Sequence, residues 1–487
     1  MLFTSLEFFA FLPLALLVFW VLPVRFRWVW LLLASYLFYG LWHPANLIYL
    51  GAVTALVWAC GGAMAGERRG RTAWLTAGLV LVLGSLLALK FYDFAAGEIE
   101  RLLSAIAGQP AIALPRIGTT APAGYSFYAF SAASYLVDAY LRRLPDKAGA
   151  GHVALYLAFF PKILAGPIER ATAFLPQVWN GLRAEPDRVV LALQLIGWGL
   201  FKKVVIADNL APLVDRNFAL AAFAAPMELL ISVYFFAFQI YCDFSGYTDI
   251  AVGIALLFGL SLLDNFRRPY LSLTTAEFWG QRWHISLAQW FRDYLYIPLG
   301  GSRVSAVRRY ANVMIVFLVS GLWHAGLGYG VSWGFLLWGA LNGFYQWVGL
   351  ATGGFWHRIS RAMPRLGKST PIHVLRVLLT FHLIAVAWVF FRAKTVGDAA
   401  LILQKIGTHL SELPTLIPYY PFTTEHVLGF GLIGLLLIVE IADERHPVAK
   451  RLAATPVWLR WSIYYLVIFA LLILGRWQAK EFIYMQF

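Results

Sequence analysis

Residues 310–324 read Tyr-Ala-Asn-Val-Met-Ile-Val-Phe-Leu-Val-Ser-Gly-Leu-Trp-His, an apolar run that closes on an ionisable side chain. A run of this kind crosses hydrocarbon as a helix, because in lipid every backbone polar group must be satisfied within the segment. At 1.5 Å per residue, His324 lies about 20 Å along a helix begun at Tyr310. That is membrane depth, where polar groups are costly and face a cavity or a partner.

Comparable runs lie near 5–23, 28–42, 46–65, 73–92, 122–140, 189–207, 226–242, 248–263, 331–350, 374–391, 427–442 and 459–476. The stretch 152–166 is shorter and is broken by Pro161 and Gly166, with Pro167 following. It reads as a re-entrant segment, covered by protein or lining a cavity. The expected fold class is all-α: a polytopic integral membrane protein with about eleven to fourteen membrane-embedded helices.

Composition leads to the same class. Hydrophobic residues make up 60% of the 487 and charged residues 13%, against roughly 45–50% and 25% in soluble domains. The formal net charge of +14 does not point to nucleic acid. The basic residues fall in short clusters between apolar runs, as cytoplasmic loops do. Arg25/Arg27, Arg68-Arg69-Gly70-Arg71, Arg142-Arg143 with Lys147, Arg303 with Arg308-Arg309, Arg358–Lys368 and Arg445–Arg451 are expected inside. This puts the N-terminus and the polar loops 93–120 and 393–425 outside. No basic stretch precedes the first apolar run and no small-residue cleavage site clearly ends it, so it reads as a retained helix. Cys60 and Cys242 lie within apolar runs and make neither a zinc pattern nor a disulfide framework. No repeat or linker divides the chain, so residues 1–487 read as one membrane domain, richest in motifs at about 120–345.

Polar side chains concentrate between Gln239 and Trp338. Tyr241-Cys242-Asp243-Phe244-Ser245-Gly246-Tyr247-Thr248-Asp249 is followed by Asp264-Asn265-Phe266-Arg267-Arg268-Pro269-Tyr270. Then come Glu277-Phe278-Trp279-Gly280-Gln281-Arg282-Trp283-His284-Ile285-Ser286 and Trp290-Phe291-Arg292-Asp293-Tyr294. A neutral imidazole at the depth of His324 can take a proton from a hydroxyl or thiol and return it. It can equally be a structural histidine bonded to a backbone carbonyl. His284, flanked by Arg282, Arg292 and Asp293, fits catalysis or a charge-paired interfacial helix. The other eight histidines lie in loops or near helix ends. No phosphate loop, nucleophile elbow or zinc-binding histidine pair occurs.

These motifs, with Phe159-Phe160-Pro161-Lys162-Ile163-Leu164-Ala165-Gly166-Pro167-Ile168, Gly321-Leu322-Trp323-His324, Trp388-Val389-Phe390-Phe391-Arg392-Ala393 and Phe482-Ile483-Tyr484-Met485-Gln486-Phe487, occur in an order that resembles the membrane-bound O-acyltransferase family. The resemblance is to its bacterial alginate O-acetyltransferase membrane-subunit branch. It implies a helical membrane funnel with His324 catalytic and His284 supporting. Trp323, Arg282, Trp283, Asp243, Ser245, Arg292 and Asp293 are the expected substrate contacts.

The implied reaction passes an acetyl group from a cytoplasmic donor, acetyl-CoA, across the bacterial inner membrane to an exported polysaccharide. A separate extracytoplasmic acetyltransferase partner protein finishes the transfer. No bound cofactor and no metal are implied. Arg267, Arg268, Arg282, Arg303, Arg308 and Arg309 are candidates for a basic rim that attracts the anionic donor.

The chain departs from the family pattern after His324, where Ala325-Gly326-Leu327-Gly328-Tyr329-Gly330 stands, and at Asn342, where a histidine is common. Two alternatives stay open: D-alanyl or other acyl transfer from a carrier protein to a cell-wall polymer, and a transporter without chemistry.

Overall fold

The computed structural model describes residues 1–487 except 42, 66–69, 110–112, 119–120, 145–147, 184, 326–330, 363–368, 478–481 and 484–487. The basic residues Arg68, Arg69, Lys147 and Lys368, the departure at Gly326–Gly330 and the terminal Tyr484–Phe487 lie outside the described residues. Among those described, every regular element is a helix and there is no strand. Among the described residues, seven helices are long and apolar enough to cross a membrane: Asn46–Ala65, Arg71–Ala107, Arg188–Ala219, Pro226–Leu257, Thr370–Arg392, Thr424–Arg445 and Val457–Leu474. Shorter or more polar helices pack with them, including Leu6–Val21, Val24–Gly40, Tyr125–Tyr140, Ala306–His324 and Trp333–Ala362.

Two sequence expectations are corrected. The runs 226–242 and 248–263 are not separate spans; Pro226–Leu257 is one helix. Nothing between Asp243 and Asp249 breaks it, because that stretch has no proline and its glycine serves packing. A Cβ on Gly246 would stand 2.7 Å from the carbonyl oxygen of Gly199, on the helix Pro186–Leu200. Backbones meet this closely only where side chains vanish, which is how helices associate tightly in lipid. The second correction concerns 93–120, read as a polar loop. Helix Arg71–Ala107 runs on through residue 107, and its 37 residues extend about 55 Å, well past a hydrocarbon core of about 30 Å.

Burial along the helices follows their polarity. In Pro226–Leu257, 89% of the most apolar window is buried inside the protein, whereas in Val457–Leu474 none is. The first carries Gln239, Asp243, Ser245 and Thr248, all buried, which lipid would not solvate. The second is apolar but for Arg460, Ser462 and its tyrosines, and lipid covers an apolar surface as well as protein does.

The broken segment behaves as its prolines and glycine require. Helix Ala150–Ala158 ends at Phe159 and a four-residue turn, Phe160–Ile163, follows with Pro161 in its first turn. Residues 153–169 are buried. Tyr156 donates to the carbonyl oxygen of Glu169 at 2.8 Å, and the Lys162 ammonium sits 4.4 Å from the Tyr156 ring centroid.

Candidate active site

Three features bring the site residues together. The first is the pairing of helix Ala306–His324 with helix Trp333–Ala362. A Cβ on Gly321 would lie 2.5 Å from the Phe335 carbonyl oxygen, and one on Gly339 2.5 Å from that of Phe317. The Trp347 indole donates to the Tyr310 carbonyl oxygen at 2.7 Å. These contacts make the helices antiparallel neighbours, so the first turns of one lie beside the last turns of the other.

The second feature is a pair of π-helical turns, Phe278–Arg282 and Arg292–Tyr296, on either side of the short helix Ile285–Phe291. Such turns rotate side chains out of the α register and occur often at functional sites. The third is His284 itself, whose backbone is left-handed, with φ 45° and ψ 53°. A non-glycine residue held there costs about 1–2 kcal/mol and persists only where its surroundings impose it. Asn265 does this. Its carbonyl oxygen accepts from the Ile285 amide at 2.9 Å, while its side-chain oxygen accepts from the Ser286 amide at 3.3 Å and the Ser286 hydroxyl at 2.9 Å.

The Asn265 side chain also fixes a proton. The Asn265 atom that accepts from a backbone N–H must be oxygen, and that same Oδ1 lies 3.0 Å from His284 Nδ1. Nδ1 is therefore the donor, and Nε2 carries the lone pair. His284 Nε2 is buried with no hydrogen-bond partner among the described residues. The same reasoning applies to His324, whose Nδ1 lies 2.7 Å from the Ser320 carbonyl oxygen. A carbonyl only accepts, so Nδ1 holds the hydrogen and Nε2 is the basic nitrogen. This is the bond that a structural histidine would make, and it is also the bond that prepares a base.

Both rings line one cavity of about 270 Å³. At its buried inner end stand His284, His324, Ser320, Trp283 and Trp279; at its outer end stand Arg292, Tyr296, Arg309, Gln346 and Leu350. Arg292 and Arg309 are exposed, and the histidines are each 2% exposed. Trp279, Trp283, Phe291 and Phe317 give the cavity an aromatic lining, and further rings pack around the histidines. Trp323 lies 5.9 Å from His284 and 4.6 Å from His324, between ring centroids, while Trp338 and Phe391 stand 5.1 and 5.7 Å from His324. The result is a cleft open at one end, with two imidazole lone pairs at its buried end and two guanidinium groups at the other.

Of the residues expected at the site, His324, His284, Trp283 and Arg292 line this cavity, and Trp323 packs against both histidines. The remaining four stand elsewhere. Arg282 is held by Glu277 at 2.7 Å and Glu444 at 2.9 Å. Asp293 bridges Arg292 at 2.8 Å and Arg170 at 3.3 Å. Asp243 accepts from Lys203 at 2.6 Å and from the Ile483 amide at 2.8 Å, and Ser245 accepts from Lys202 at 2.9 Å. The last two thus belong to a buried ion cluster with Asp208 and Asp249, not to the cavity wall. Of the basic-rim candidates, Arg309 reaches the cavity, whereas Arg267 and Arg268 pair with Asp264, Asp443 and Glu444.

Sequence reading passed over Lys90. Its ammonium donates at 2.6 Å to the carbonyl oxygen of Trp323, in the last turn of the helix that presents His324. Its signal was a single lysine at the end of an apolar run, costly in lipid without a partner. Asn342 is also accounted for: it accepts from the Trp279 indole at 2.9 Å and so fixes a residue of the cavity wall.

Residues 123–390 match the family model described as MBOAT, membrane-bound O-acyltransferase family. The chain belongs to this family. It is 35% identical over 80% of its length to the probable alginate O-acetylase AlgI of Azotobacter vinelandii, covering 74% of that protein. It is 33% identical over 82% of its length to the peptidoglycan O-acetyltransferase of Helicobacter pylori, covering 78% of it. With the teichoic acid D-alanyltransferase of Bacillus subtilis it shares 23% identity over 56% of its length and 68% of the relative's. The protein is an O-acyltransferase and a multi-pass membrane protein of the MBOAT family.

Proposed function

We propose that this MBOAT protein is the membrane component of a polysaccharide O-acetylation system in the bacterial inner membrane. It takes an acetyl group from a cytoplasmic thioester, acetyl-CoA, and passes it towards an acceptor on the opposite face. The observation that carries this reading is the cavity with two Nε2 lone pairs at its buried end and Arg292 and Arg309 at its exposed end.

In the reaction, the acceptor O–H gives its proton to His324 Nε2, and its oxygen bonds to the thioester carbonyl carbon. The carbon–sulfur bond then breaks, and the leaving thiolate takes the proton back from the imidazolium. The Nδ1–H bond to Ser320 holds the ring orientation through both transfers. The aromatic wall keeps water from the thioester. The basic outer end draws in the anionic donor. An extracytoplasmic acetyltransferase would complete delivery to the sugar hydroxyl.

The acetyl reading is favoured over D-alanyl transfer by extent. The two acetyltransferase relatives align over 80% and 82% of the chain, against 56% for the D-alanyltransferase. The test is alkali-labile acetate on cell-surface polysaccharide, with His324→Ala at matched membrane abundance. Loss of ester acetate at unchanged polymer yield is expected, with a rate fall of about 10²–10⁴ for a lost general base. Unchanged acetate would refute the assignment of His324 and revive another acyl group or a transporter; loss of the polymer itself would point to export.

A further inference from the structure

Gln346 has no place in the chemistry just described, yet it lines the same cavity. It lies one helical turn after Asn342, so the two share a face of helix Trp333–Ala362. Its Nε2 is buried and has no hydrogen-bond partner among the described residues. An amide donor left so is destabilising unless something else accepts from it.

Position indicates what that acceptor is. Trp347, the next residue, bonds to Tyr310, and Gly343 lies against Met314 and Phe317. Gln346 therefore stands near the outer end of the cavity, about 20 Å from the level of His324 along helix Ala306–His324. Helix side chains lean towards their own N-termini. In this antiparallel pair Gln346 leans inward and His324 leans outward, so their polar ends stand closer than their backbones.

We infer that Gln346 donates a hydrogen bond to an amide carbonyl on the pantetheine arm that carries the acyl thioester. The inference rests on the thioester-donor reading and deepens it. A pantetheine arm has a phosphate at one end, a thioester at the other and amide carbonyls between. Arg292 and Arg309 suit the first, the histidines suit the second, and Gln346, beside the arginines at the outer end, leans inward along the path from one to the other. Coenzyme A and a carrier protein share this arm, so Gln346 reads the arm and not what bears it.

The experiment uses membrane vesicles containing the full chain and its native acceptor, with Gln346→Met and Gln346→Glu at matched abundance. Met keeps the volume without the donor, and Glu keeps the shape but presents acceptors. Donors are acetyl-pantetheine and ethyl thioacetate, which has the reacting group but no amide. Both variants are expected to lower the preference for acetyl-pantetheine over ethyl thioacetate, as a ratio of kcat/KM, by about three- to tenfold, the worth of one neutral hydrogen bond. The change is expected in KM for acetyl-pantetheine.

A preference unchanged within twofold in both variants overturns the proposal and leaves the donor reading standing. Wild-type use of acetyl-CoA or of an acetyl-loaded carrier protein tells the two sources apart. If wild type uses neither, the donor reading fails, and the assignment of Gln346 fails with it.

Discussion

At the scale of single residues, the site depends on where two protons sit. His324 and His284 each direct Nδ1–H to a fixed oxygen, a backbone carbonyl in one case and Asn265 Oδ1 in the other. Each is left with a basic Nε2 at the cavity. Asn265 does more than fix a tautomer, since it also holds the left-handed turn at His284 through Ile285 and Ser286. Replacing it with alanine frees the His284 ring and its backbone together. Asn265→Ala is expected to lower kcat for acetyl transfer about ten- to a hundredfold, less than the full loss of a proton-transfer group. Initial rates at saturating donor and matched abundance check this; a wild-type kcat would show that His284 needs no orientation. The sequence showed both histidines and Asn265, but not that one holds the other, because they stand 19 positions apart across a left-handed backbone that no periodicity encodes.

At the scale of elements, helix packing at glycines sets the cavity's width. Gly321 and Gly339 let helices Ala306–His324 and Trp333–Ala362 touch backbone to backbone, while a Cβ on Gly349 in the second helix would meet nothing within 4 Å. The two positions should respond oppositely to the same change. Gly339→Ala is expected to destabilise by about 1–3 kcal/mol through overpacking and to reduce transfer by pushing the helices apart. Gly349→Ala is expected to be neutral or to stabilise by up to about 1 kcal/mol through helix propensity. Thermal unfolding in detergent with parallel activity assays distinguishes them, and equal effects at the two sites would contradict the close-packing account. Most helices were legible as apolar runs. The joining of 226–242 to 248–263 was not, since a polar stretch within a helix resembles a loop until its partners are seen.

At the scale of the whole molecule, a buried ion cluster ties distant parts of the chain together. Lys203 lies 2.6 Å from Asp243 and 3.0 Å from Asp208, Lys202 lies 2.7 Å from Asp249, and Asp243 also accepts from the Ile483 amide near the C-terminus. The Phe482 ring covers Lys203 at 4.6 Å. Removing one partner of a buried pair leaves an uncompensated charge. Lys203→Met is therefore expected to cost about 3–5 kcal/mol, seen as loss of folded protein from the membrane fraction. Lys203→Met with Asp243→Asn is expected to recover part of it. Normal abundance and unfolding temperature in the single variant would count against a structural role for the cluster.

The sequence by itself determined the class of molecule: helical, membrane-embedded, with polar groups gathered between Gln239 and Trp338. These follow from hydropathy and backbone hydrogen bonding, which act within a segment and leave a mark in composition and period. Only the tertiary structure decided which polar residues meet. It placed His284, His324, Arg292 and Gln346 on one cavity, and took Asp243 and Ser245 into an ion cluster with lysines some forty positions earlier. It also set Lys90 against a carbonyl 233 residues away. The cost of burying a charge or a hydrogen-bonding group requires that each find a partner, and which partner depends on how the helices pack.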